Sequence, residues 1–190
     1  MKKLVVVTAV VLAVALSACG RAPATSTQAA AAATVPAAGP AEAVTALVAL
    51  APTRNNNVSG TLTLVAEEGQ VSISGQVGGL TPGSQHGFHV HEKGNCKAPD
   101  ASSAGGHFNP ASMEHGDPRM EMHHLGDMLN IEADEKGTAQ VHIMLVGVTL
   151  KDGGPNDLKG KSIVVHADPD DYATQPAGNS GDRVACGVIF

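Results

Sequence analysis

His89 and His91 stand two residues apart in Gly-Phe-His-Val-His-Glu. On a β-strand that spacing sends both imidazoles to one face and Phe88 and Val90 to the other. The apolar pair can then join a core, while the rings face outward beneath whatever loop covers them. Taken alone, the pair reads either as metal ligands or as a solvated polar face. Further imidazoles follow downstream. His107 lies in a glycine-rich turn, Gly105-Gly106-His107-Phe108-Asn109-Pro110, and His115 precedes Gly116 in the same stretch. His124-Leu125-Gly126-Asp127 sets an imidazole and a carboxylate three residues apart, and Ile163-Val164-Val165-His166 ends an apolar run on a histidine. Imidazole and carboxylate side chains are both common metal ligands. Nine histidines in so small a domain is an unusual density.

The elements that must position these residues are short. Val44–Leu50, Val58–Ala66, Val71–Val77, Gln85–His91, Leu129–Ala133, Thr138–Leu145, Ser162–His166 and Ala185–Ile189 read as strands, rich in Val, Ile and Thr and punctuated by Gly, Pro, Asn and Asp. Glu68-Gly69 makes a tight turn that pairs the second and third as a hairpin. No long amphipathic helix is evident. Many short strands between turns predict an all-β, antiparallel sandwich or barrel. Two segments resist strand assignment: 92–128, dense in Gly, Pro, Asp and His, and 167–183. Long loops without secondary structure in a compact domain usually carry function, and the first of these holds His107, His115, His124 and Asp127.

In this order, Gly-Phe-His-Val-His-Glu at 87–92, Gly-His-Phe-Asn-Pro at 106–110, His-Leu-Gly-Asp at 124–127, Val-Val-His-Ala at 164–167 and Gly-Asn-Ser-Gly-Asp-Arg-Val-Ala-Cys-Gly-Val-Ile at 178–189 closely resemble the copper–zinc superoxide dismutase family. The resemblance spans essentially 44–190. It implies a Greek-key antiparallel β-sandwich or flattened barrel with two long functional loops. It also implies one copper and one zinc per subunit, with superoxide as substrate. His89, His91, His107 and His166 would hold copper, and His107, His115, His124 and Asp127 would hold zinc, so that His107 bridges the ions. Asp170 would accept hydrogen bonds from His89 and His115, while Asp168 and Asp171 suit turn roles better. Arg183 would attract and orient the anion beside the copper; the bland alternative is a surface arginine paired with Asp182. A copper chaperone or store on the same scaffold is the competing function, but such relatives typically lose a copper ligand or the arginine, and this chain keeps both. His86 is expected to bond backbone and His142 to face solvent. His123 has no assigned role, and Met113, Met120, Met122 and Met128 read as packing.

The chain's beginning has a different character. Residues 1–19 read as an export signal: Lys2 and Lys3, then an uncharged apolar run from Leu4 to Leu16, too short to span a bilayer comfortably. Leu16-Ser17-Ala18-Cys19 closely resembles a bacterial lipobox, which implies cleavage before Cys19 and lipid on its thiol and amino group. Gly20 follows, with no aspartate to suggest inner-membrane retention, so the expected location is the periplasm, anchored to the outer membrane. Residues 20–41, rich in Ala, Pro, Thr and Ser, read as a flexible tether, and 42–190 as one enzyme domain. If Cys19 carries lipid, Cys96 and Cys186 remain as an even pair, and an oxidising compartment favours a disulfide over two free thiols.

The formal net charge is −6, and no basic patch suggests nucleic acid. A negative body repels superoxide, so local positive charge must act near the site. The segment from Asp171 to Arg183 has no lysine or glutamate, which leaves Lys93, Lys97 or Lys159 as candidate steering charges. Monomer and homodimer both remain open.

Overall fold

The computed structural model describes residues 43–190. The signal, tether and Cys19 lipidation expected from the sequence lie outside the described residues. Nine strands alternate with turns: β1 (Thr45–Pro52), β2 (Ser59–Glu67), β3 (Gln70–Gly78), β4 (Gln85–His86), β5 (Phe88–His91), β6 (Ile131–Glu132), β7 (Ala139–Val146), β8 (Ser162–His166) and β9 (Arg183–Val188). The described residues contain no α-helix, only a 3-10 turn at Ser102–Ala104. Seven strands form one antiparallel sheet in the order β5-β8-β9-β1-β2-β3-β7. Strand β1 is the hinge of this order. Its residues 45–50 pair with β2, and its last two, Ala51 and Pro52, pair with β9. The sheet therefore changes partner along one strand and folds over as a half-barrel.

Alternation explains which face is buried. Along β1, Ala46, Val48 and Leu50 are buried while their neighbours are exposed. Leu62 and Leu64 of β2, Val71 and Ile73 of β3, and Val141 and Leu145 of β7 repeat the pattern. His142 is on the solvent face of β7, as the alternation requires. Strands β5 and β8 differ, because both faces are covered and every residue is buried. Phe88, Val90, Ile163 and Val165 join the main core with Leu62, Leu64 and Ile73. On the other face, Val164 packs with Ala101, Ala104 and Cys186, against Cys96. This second cluster lies beneath the loop that the Cys96–Cys186 disulfide pins to β9.

The sequence anticipates one strand over Gln85–His91, but the structure breaks it at Gly87. Strand β4 pairs with β6, whereas β5 pairs with β8. Gly87 is the junction: its N–H donates to Asp168 O at 2.8 Å and its carbonyl accepts from His166 N at 2.8 Å. A β-carbon there would press on Ser180 and His166, so the break lets loop 167–182 close onto β5. The strand expected over Leu129–Ala133 is likewise reduced to Ile131–Glu132. Asn130 instead turns its polar groups toward Asp170 and Tyr172.

The disulfide joins residues 90 apart in sequence. Chain entropy for a closure of this size predicts that a Cys96→Ser, Cys186→Ser double variant loses about 4–5 kcal/mol of unfolding free energy. Denaturant titration of the metal-free proteins checks this; equal midpoints would contradict it.

Candidate metal centre

Loop segments reach the outer edge of β5 through backbone bonds. Val90 N–H donates to Gly126 O at 2.9 Å, Phe108 N–H to Val90 O at 2.8 Å, and Glu92 N–H to Gly106 O at 2.9 Å. His107 is thereby bridged to His91, and Asp127 to His89. Strand β8 delivers His166 from the opposite side. The edge of β5, which would otherwise expose unpaired amides, is thus used to collect ligands from the long loop.

Two sets result. His89, His91, His107 and His166 bring one ligand atom each to within 4.8 Å of one another, and so do His107, His115, His124 and Asp127. All seven candidate ligands predicted from sequence are therefore assembled, with His107 common to both sets. Its Nδ1 lies 2.8 Å from Asp127 Oδ1 and 3.5 Å from His124 Nδ1. Its Nε2 points the other way and has no hydrogen-bond partner. His89 Nδ1 and His115 Nδ1 are also buried without a partner; apart from Thr149 Oγ1, no other buried side-chain N or O among the described residues is left so. His115 Nδ1 is 3.0 Å from Asp127 Oδ2, but the alignment is not that of a hydrogen bond. His91 Nε2 and His166 Nε2 face each other at 3.3 Å. Orphaned buried nitrogens cost about 1–3 kcal/mol each, and lone pairs converging on common points are what a cation satisfies. The donor types fit the two ions. Four imidazoles suit copper in both oxidation states, and three imidazoles with a carboxylate close a zinc shell.

The opposite ring nitrogens are held in place. His89 Nε2 sits 2.7 Å from Asp170 Oδ2, and His115 Nε2 3.0 Å from Asp170 Oδ1. One buried carboxylate thus joins a member of each set, as the sequence anticipates. Gly178 closes over this link: its φ is 63°, and a β-carbon there would collide with Asp170 Oδ1. His91 Nδ1 lies 2.9 Å from Gly105 O. The same carbonyl accepts from Arg183 Nη2 at 2.7 Å, while Arg183 Nη1 donates to Ala101 O at 2.8 Å. Arg183 is half-buried and has no carboxylate partner among the described residues, so it is not the surface arginine paired with Asp182.

Burial sets the protonation of the metal-free rings. It pushes His107 down to about 4 and His166 down to about 3, and lowers His91 well below its ordinary value; neighbouring imidazoles reinforce each shift. These rings are neutral at pH 7, with lone pairs available. At His115 burial also acts downward, but the Asp127 and Asp170 carboxylates outweigh it and raise the ring to about 9. Burial would raise Asp127 and Asp170, yet hydrogen bonds from the histidines hold both well below the usual carboxylate range.

Some positioning residues carry no sequence signal. Gln175 pairs with the His115 backbone: His115 N–H donates to its Oε1 at 2.9 Å and its Nε2 donates to His115 O at 2.8 Å. Asn130 does the same for Asp170, with bonds of 2.8 and 2.9 Å, and its own N–H donates to the Tyr172 hydroxyl at 2.8 Å. An Asn or Gln in a polar loop looks like any other until the fold brings its partner near. His86 bonds backbone as expected, with Nδ1 2.7 Å from His166 O. Met128 is buried and Met113 half-buried, but Met120 and Met122 are 65% and 54% exposed. The packing role expected for the methionines therefore fails for these two, which sit in a turn-rich stretch between His115 and His124, outside the core.

Fold and site together define a protein with two adjacent metal sets sharing one imidazole, built on an antiparallel β frame. The chain belongs to the copper/zinc superoxide dismutase (SODC) family, whose profile matches residues 58–189. It is 45% identical over 135 residues to Cu-Zn superoxide dismutase 2 of Aquifex aeolicus (strain VF5), an alignment covering 70% of this chain and 79% of that one. It is 43% identical over 151 residues to the extracellular Cu-Zn superoxide dismutase of Brugia pahangi, covering 75% and 74%. Among solved structures, a SOD-like protein from Bacillus subtilis superposes with a TM-score of 0.69 at 36% identity, covering 76% of this chain and 97% of that one. The clock protein EA4 superposes with a TM-score of 0.68 at 34% identity, covering 80% and 97%.

Two outcomes follow from the geometry. At pH 7 the metal-free His115 holds a proton that zinc must displace, so zinc binding releases about one proton, an effect that fades above pH 9. Filling the second set then removes the remaining N–H of His107 and releases about one more. Calorimetry in buffers of different ionisation enthalpy counts both, and no release at either step would contradict the assignment. Gln175→Ala is expected to speed zinc loss to a chelator about tenfold; an unchanged rate would remove the amide pair from the site's support.

Proposed function

We propose that the chain dismutates superoxide with one copper and one zinc, converting two superoxide ions and two protons to dioxygen and hydrogen peroxide. The observation that carries this reading is the His107 ring, which offers one nitrogen to each set. Bound copper would supply one-electron exchange in both directions, and bound zinc a fixed positive charge at the far side of that ring. The chain's own residues do the rest. His89, His91 and His166 are buried and held from behind by Asp170, Gly105 O and, at 3.3 Å, Gly181 O, so their geometry is fixed before any ion binds. His107 Nε2 is the atom at which the protein can hold a proton for the departing peroxide, while Nδ1 stays directed at the zinc set. Arg183, bonded only to carbonyls, keeps a full positive charge and spare N–H donors beside His166, where a small anion can be oriented.

A copper-carrying role without turnover is the weaker reading, because both sets and Arg183 are complete. We further infer that the chain is an outer-membrane lipoprotein of the periplasm, tethered by lipid on Cys19. The apolar run before Leu16-Ser17-Ala18-Cys19 supports this reading, as does the disulfide, which persists in an oxidising compartment.

His107→Ala in the metal-loaded protein is expected to lower the dismutation rate at least about a hundredfold while circular dichroism remains that of the folded sheet. Wild-type activity in the variant would overturn the shared-imidazole reading. For the anchor, Cys19→Ser is expected to abolish labelling by tritiated palmitate and to free the protein from the outer-membrane fraction. Persistent labelling would contradict attachment at Cys19.

A further inference from the structure

Two clefts meet at Gly181 and Arg183. The inner one, about 350 Å³, includes His166, Gln175, Asn179 and Ser180. The outer one, about 620 Å³, is lined by Thr53, Arg54, Asp100, Ser102, Asp182 and neighbouring backbone. The outer cleft borders the same Arg183 side chain that lies beside His166 in the inner one, so an anion held there is next to the site. The outer cleft's charge therefore decides whether a chain of net charge −6 attracts or repels superoxide there.

None of the three lysines expected to steer lines either cleft. Lys93 pairs with Glu92 at 3.5 Å. Lys97 lines a neighbouring hollow that includes Arg54 but not Arg183. Lys159 is absent from both linings. The second cation is Arg54, in the turn after β1. Its backbone is held by bonds from this turn to Arg183's own strand and to Pro99. Thr53 N–H donates to Val184 O at 3.1 Å, Thr53 Oγ1 to Arg183 O at 2.8 Å, and Arg54 N–H to Pro99 O at 2.7 Å. Asn56 Nδ2 closes the turn onto Arg54 O at 3.2 Å. Among the described residues the Arg54 guanidinium makes no hydrogen bond or ion pair, and Arg183 has no carboxylate partner. Asp100 and Asp182 share the cleft, and neither pairs with either arginine; Asp100 Oδ1 is engaged by Ser102 N–H at 3.0 Å. Without Arg54 the outer cleft would hold two carboxylates against one guanidinium and would repel an anion. With it the charges balance, and the unpaired guanidinium is available to the anion.

We propose that Arg54 is a steering residue for superoxide, drawing the anion into the outer cleft and toward Arg183. The inference rests on the dismutase reading. Arg54 touches no metal ligand, so its effect is on encounter rather than on chemistry, and salt screens it.

Pulse radiolysis of the full-length, copper- and zinc-loaded protein tests this. At low ionic strength Arg54→Gln is expected to lower the second-order rate constant roughly two- to fivefold. Its dependence on ionic strength is expected to flatten, and the two proteins to converge near 0.5 M salt, on the order of a 4 Å screening length. Arg54→Lys retains the wild-type salt slope, and Lys97→Gln changes it less than Arg54→Gln. A second readout needs no turnover: in the zinc-only protein, Nε–H NMR signals of Arg54 and Arg183 shift together as sodium azide is added. An Arg54→Gln rate equal to wild type at every ionic strength, or reduced by the same factor at every ionic strength, would overturn the proposal; so would an azide shift at Arg183 alone. Absence of dismutation by the wild-type protein would instead fail the functional reading itself.

Discussion

The buried imidazole of His107 presents Nδ1 to Asp127 at 2.8 Å and leaves Nε2 without a partner on the side of His89, His91 and His166. For one ring to serve two ligand sets, it must be fixed in rotation, shielded from water and free of a competing proton. The backbone bridge between His91 and His107 fixes its origin on the edge of β5. Burial keeps it neutral, pushing it down to about 4. The break at Gly87, the covered edge of β5 and the two long loops all serve this placement. A regular barrel with a polar outer face would leave the same histidines solvated.

Packing many imidazoles and two carboxylates into one volume is costly unless every group is satisfied. Asp127 and Asp170 do most of that satisfying. Asp127 faces the inner nitrogens of one set and accepts N–H bonds from Gly116 and His124. Asp170 takes the outer nitrogens of His89 and His115, linking the sets from behind. Around them, Asn130 and Gln175 each bond both backbone groups of a site residue. The polar network is thus continuous from the metal-facing nitrogens to the loop backbone, and the ring nitrogens it leaves without partners are those a cation would meet.

The two candidate ligand sets were legible because histidine is rare, because β-strand alternation fixes the face of an imidazole, and because several short family motifs occur in order. The hairpin at Gly69 and the alternating strands β1, β2, β3 and β7 were legible for the same reason of period. The break at Gly87 was not, since it depends on Ser180 and His166 arriving from far along the sequence. Nor were Gln175, Asn130 and Tyr172, whose roles arise only when the loops meet. Arg54 carries no sequence signal either: it follows β1 and comes beside Arg183 only through the pairing of Ala51 and Pro52 with β9.

The most direct test of the central claim is anomalous diffraction at the copper and zinc absorption edges from crystals of the metal-loaded protein. The account predicts two separate peaks: copper among His89, His91, His107 and His166, and zinc among His107, His115, His124 and Asp127, with the His107 ring between them. A single mixed site, or two ions neither of which or only one of which contacts His107, would contradict it.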